Sequence, residues 1–187
     1  MSRWFNMILY QATWIAAVAG AGSGLWWPGV VMCVLFAAWQ LPASAWPRAD
    51  ACLVAGIGAL GFAIDSVYAQ SGLMNFSTPV PWPGLAPVWM TMLWTSYALS
   101  LNHSLSFLHG RPFAAAALGA IGAPLAYWAA GSGWHALDFG ADPAVTIGIT
   151  ALLWGVLMPG LASLALRLRA LDTNAVRHPR ASAGARP

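Results

Sequence analysis

The sequence predicts an all-α fold, a polytopic membrane bundle of six transmembrane helices with both termini cytoplasmic. Three observations carry that expectation. The chain is 59% hydrophobic and only 7% charged over 187 residues, where a soluble domain carries roughly a quarter charged residues. Its apolar residues fall into runs long enough to cross a bilayer, which takes roughly 20 residues each. Its eight basic residues, all arginine, fall on one side of the resulting topology.

Breaks at Gly/Pro clusters and at charges give spans at about 4–21, 28–46, 51–71, 87–108, 113–131 and 144–168, which form one domain over residues 1–169. Arg3 precedes the first span. Arg48 joins the second to the third, Arg111 the fourth to the fifth, and Arg167, Arg169, Arg177, Arg180 and Arg186 close the chain. Asp138 and Asp142 lie on the other side, without a base. One miscounted span would scatter the arginines, so the charges support an even count independently of hydropathy. Trp4, Trp26, Trp27, Trp46, Trp82, Trp89 and Trp134 fall near span ends, the depth indoles favour.

The first span begins like a signal peptide, with Arg3, an apolar run and Ala17-Val18-Ala19. Trp4, Asn6, Gln11 and Trp14 interrupt the run, and the segment is expected to be retained. Cys33 and Cys52 fall near opposite membrane faces, about 20 Å apart at 1.5 Å per residue, too far for a disulfide. Residues 170–187 are rich in Arg, Ala and Pro and read as a disordered basic cytoplasmic tail.

The fourth span holds most of the polar groups. Met90, Trp94, Tyr97, Leu101, Leu105 and Leu108 share one face, expected to meet lipid, while Thr91, Thr95, Asn102, His103 and Ser106 lie opposite and require protein or water. Depth divides these polar residues. His103 and Asn102 lie about 8 Å to the cytoplasmic side of mid-span, level with Asn6 and Gln40, which predicts a cytoplasmic-half cluster of Asn6, Gln40, Asn102 and His103. Asp65, read as the only acid well inside a span, lies on the outer half, and a pair with His103 would have to bridge about 14 Å of depth. Its face carries Gly58, Gly61, Tyr68 and Gly72, a strip that admits a close neighbour. The outer polar pocket is therefore expected from Asp65, Tyr68, Thr91, Trp94, Thr95 and Tyr127. The fifth span, with Ala115, Gly119, Gly122, Ala126 and Gly133 on one seam, reads as the tightly packed central helix. Pro124 and Pro159-Gly160 are expected to kink the last two spans.

No metal site is expected. His103 and His109 are six apart, off a common helix face, and no other histidine or carboxylate is read near them. HExxH, CxxC and the Gly-x-Ser-x-Gly elbow are absent, so no catalytic residue is assigned, no cofactor is expected, and enzymatic activity stays open.

RWFNMILYQ near the N-terminus, FAIDS, PVWMTMLW, LNHSL and GAIGAPLAYW together resemble a family of small bacterial inner-membrane proteins catalogued as a domain of unknown function. The likeness runs from Arg3 to about Arg169 and is most specific at LNHSL and GAIGAPLAYW. It implies a multi-pass protein of the bacterial inner (cytoplasmic) membrane and a link to membrane-lipid or fatty-acyl modification or homeostasis. The expected partners are membrane lipids, with a membrane enzyme partner or a homodimer, and no nucleic acid. Two other functions stay open: a small proton-coupled carrier or channel using Asp65, and a non-catalytic scaffold for a partner enzyme.

Overall fold

The computed structural model describes residues 3–140 and 142–177, and the described chain is all-helical apart from one two-residue strand pair. The six helices are α1 (Arg3–Gly22), α2 (Trp27–Ala43), α3 (Pro47–Gln70), α4 (Val88–Leu101), α5 (Pro112–Ser132) and α6 (Pro143–Arg177). Proline stands at the first or second position of α2, α3 and α5, where its fixed φ suits a helix start and its missing N–H would be unpaired anyway.

Three helices are long and apolar enough to cross a membrane: Pro47–Gln70, Pro112–Ser132 and, within α6, Pro143–Asn174. Their outward residues are apolar too. Leu152 is 76% exposed, Val156 79% and Ile121 62%, a surface that water disfavours and hydrocarbon accepts. The chain is a membrane protein by this measure.

The helices pack in consecutive pairs, α1 with α2, α3 with α4 and α5 with α6, with glycine at the closest approaches. A methyl group added at Gly29 of α2 would overlap Ala17 of α1, one at Gly61 of α3 would overlap the Trp94 indole of α4, and one at Gly119 of α5 would overlap the Trp154 carbonyl of α6. One end of the bundle therefore gathers Arg3, the α2–α3 turn, the α4–α5 connection and the end of α6; we call it the basic end. At the other end β1 (Asn75–Phe76) pairs antiparallel with β2 (Leu137–Asp138). Trp89, at the start of α4, is fully buried here, and its Nε1 donates to the Ser77 carbonyl at 2.9 Å.

Four sequence expectations change. The fourth span is helical only to Leu101; Asn102 caps α4, and a short 3-10 turn at Ser106–Leu108 follows. The face expected to meet lipid is inward, with Met90, Trp94, Tyr97, Leu101 and Leu108 all buried. That makes α4 the central helix, while α5 turns Ile121, Leu125 and Trp128 outward. Helix α6 runs to Arg177, so the segment after Ala170 begins as helix; residues 178–187, with Arg180 and Arg186, lie outside the described residues. Pro124 and Pro159 lie inside α5 and α6. Cys33 and Cys52 are both free.

Candidate functional site

Two polar layers cross the bundle, each built on a buried aspartate of α3. In the layer nearer the strand pair, Asp65 is fully buried. Trp94 Nε1 donates to its Oδ2 at 2.6 Å and the Tyr127 hydroxyl donates to its Oδ1 at 2.7 Å, so one carboxyl group ties α3 to α4 and α5. Gly61, one turn before Asp65, leaves the room that the indole occupies. The same indole stacks on Trp154 of α6 with ring centroids 4.7 Å apart, and Tyr97 meets Trp154 edge-on at 5.5 Å.

Three of the residues expected beside Asp65 bond elsewhere. Tyr68 shares a hydrogen bond with Thr150 of α6 at 3.2 Å and meets Tyr127 only by its ring edge. Thr91 and Thr95 donate to the carbonyls of Pro87 and Thr91 on their own turn of chain. A hydroxyl four residues after a carbonyl finds that acceptor without any tertiary partner.

In the layer at the basic end, the four expected residues divide into two linked groups. Asn6 Nδ2 donates to Gln40 Oε1 at 3.0 Å and to the Leu99 carbonyl at 3.1 Å, while its Oδ1 accepts from the Ser104 N–H at 3.3 Å. Asn102 and His103 turn instead to Asp50. Asn102 Nδ2 donates to Asp50 Oδ1 at 2.9 Å, and His103 Nε2 lies 2.8 Å from Asp50 Oδ2. This corrects the expectation that no carboxylate lies near His103, and Asp50 joins Asp65 as a second acid inside the bundle. The available signal was Pro47: a helix started there puts Asp50 in its first turn, where an acid is favoured.

The start of α3 is closed by a distant residue. Its cap position, Trp46, supplies no side-chain hydrogen bond. Asp172 of α6 does, accepting from the backbone N–H groups of Arg48 and Ala49 at 3.2 and 3.1 Å. Trp46 is held by its Nε1 donating to Thr173 at 3.2 Å and by the Arg169 guanidinium, 3.6 Å from its ring centroid.

Between α1 and α5 runs an apolar groove of about 150 Å³, walled by Trp14 on one side and by Gly122 and Ala126 on the other. Trp94, Tyr97 and Trp154 form its floor. Beneath that surface, the Tyr97 hydroxyl and Trp154 Nε1 are buried with no hydrogen-bond partner among the described residues. Both atoms are shielded from the groove, so the surface it presents is apolar. No group of three or more His, Cys, Asp or Glu side chains is placed to hold a metal ion among the described residues.

No curated protein and no solved structure matches the chain. A family model described as a protein of unknown function (DUF2878) matches residues 3–160, which takes in α1 to α5, both polar layers and the first half of α6. The match covers most of the 187-residue chain, and the chain belongs to the DUF2878 family.

Proposed function

We propose that the chain is a six-span protein of the bacterial inner membrane, both termini cytoplasmic, that receives a lipid acyl chain laterally and serves as an accessory in membrane-lipid or fatty-acyl modification or homeostasis. The observation that carries this reading is the apolar groove between α1 and α5. Its volume is close to that of an engineered apolar cavity that binds benzene, enough for a short stretch of hydrocarbon. Its apolar lining, from Trp14, Leu93, Leu118 and Met158 among others, suits hydrocarbon. The orientation is supported by Arg3, Arg48, Arg111, Arg167 and Arg169 at one end and by Asp138 and Asp142 at the other.

The test is mass spectrometry of lipid copurified with the full chain, for the parent and for Gly122→Leu. Nothing but the Leu118 side chain approaches a methyl group at Gly122, so the larger residue fills the groove without disturbing a packed contact. The expected result is an acyl species enriched over bulk lipid in the parent and lost in the variant. Identical bulk lipid in both would refute the reading. Comparative lipidomics of a deletion strain then identifies the lipid class affected.

A further inference from the structure

The basic end holds a second concavity, separate from the groove and made of polar groups. Arg3, Trp46, Asn102, His103, Ser106 and Arg169 line a cavity of about 220 Å³. A neighbouring hollow shares Arg3, Ser106 and Arg169 and adds His109.

Its charges are unbalanced. The one ion pair among the described residues is His103 with Asp50. Neither Arg3 nor Arg169 has a carboxylate within ion-pair distance there, and Asp172, the other acid of this region, spends its oxygen on the start of α3. Arg169 is also immobilised, its guanidinium lying on Trp46 while the Trp46 ring lies 6.3 Å from that of His103. An arginine held flat on an indole keeps its N–H edge free for an oxyanion.

The buried groups point the same way. His103 turns Nε2 to Asp50 Oδ2, and its other ring nitrogen, Nδ1, has no protein partner among the described residues. Asn102 is 2% exposed, lines the cavity, and has its Oδ1 unpartnered. Two guanidinium groups, one of them stacked on Trp46, with one imidazole nitrogen, one hydroxyl and one buried amide oxygen together form a site for an anion that also carries an O–H, which is the chemistry of a protonated phosphate or phosphomonoester.

We propose that this cavity binds a phosphate group, with oxygens between the Arg3 and Arg169 guanidinium groups and a P–OH donated to Asn102 Oδ1. The site stands on residues other than those of the acyl-chain groove and holds or fails separately from it. The phosphate could be free or could be the head of a membrane lipid, and the test distinguishes these sources.

The full chain in detergent is titrated calorimetrically with inorganic phosphate and with dihexanoylphosphatidic acid. The variants are Arg3→Gln, Arg169→Gln and, as a control, Arg48→Gln, which is exposed and outside the cavity. Removing one charged donor should weaken binding about tenfold, so Arg3→Gln and Arg169→Gln each lose about that factor and Arg48→Gln does not. Arg3 is exposed, which keeps the test valid if losing the Arg169–Trp46 stack unfolds that variant. Binding of both probes identifies a mobile phosphate as ligand, and binding of the lipid alone identifies a headgroup. No binding of either probe, or equal loss in Arg48→Gln, overturns the proposal.

Discussion

Asp50 Oδ2 and His103 Nε2 lie 2.8 Å apart across 53 residues of sequence, the aspartate fully buried and the histidine 8% exposed. This contact joins the first turn of α3 to the chain just beyond α4 and sets the floor of the polar layer at the basic end.

Breaking that pair from the Asp50 side leaves Asn102 Nδ2 and His103 Nε2 without their partner. Asp50→Ala is expected to cost about 1–3 kcal/mol for each buried group left unpaired, seen as a fall in thermal midpoint in detergent. A double-mutant cycle with His103→Ala should show non-additivity, because the second substitution removes the group that the first one stranded. Additive losses would mean that the two side chains do not interact in solution.

Asp65 gives a different outcome when its carboxyl group is replaced by an amide. In Asp65→Asn one amide oxygen still accepts, but the new NH2 faces either Trp94 Nε1 or the Tyr127 hydroxyl, both of which donate. One mismatched buried hydrogen bond costs about 1–3 kcal/mol, readable as lower thermal stability with a shifted tryptophan emission. Proton uptake into reconstituted vesicles, abolished by the same substitution, would instead establish a carrier role.

The approach of α3 to α4 depends on the absence of one side chain. Gly61→Ala pushes a methyl group into the Trp94 indole, and overpacking of this kind costs about 1–3 kcal/mol. Gly56→Ala, where the added methyl meets nothing within 4 Å, should be neutral or slightly stabilising. Equal midpoints for the two variants would contradict the packing described.

A pH dependence is expected from His109, in the turn before α5. Burial first, and then the positive charge of Arg169, hold its pKa below the ordinary value of 6.5, and its Nε2 is buried without a partner among the described residues. The folded protein therefore binds fewer protons at His109 than the unfolded chain does. Stability is full above about pH 6.5 and falls as the pH drops through that value toward the lower folded pKa. Thermal midpoints of the parent should decline between pH 7 and 5, and less so in His109→Gln.

Which parts of this arrangement are legible in the sequence follows from what each residue needs. Six helices follow from long apolar runs broken by Gly, Pro and charge, and counting depth along them sets Trp94 and Tyr127 level with Asp65. The inward turn of Met90, Tyr97 and Leu101 is not legible, because lipid is as apolar as a protein core and periodicity cannot distinguish the two. Thr91 and Thr95 mislead because a helical hydroxyl is already satisfied by its own backbone. Asp50 is hidden beside Arg48, where a charge reads as loop. The role of Asp172, in a segment that looks disordered by composition, depends on a partner more than a hundred residues away.

That last contact bears on the order in which the molecule becomes complete. Helix α3 leaves the ribosome well before α6 exists, yet the N–H groups of Arg48 and Ala49 are closed only by a carboxylate near the end of the sixth helix. During synthesis these two N–H groups are therefore without that acceptor until α6 is in place, and the start of α3 is completed only then.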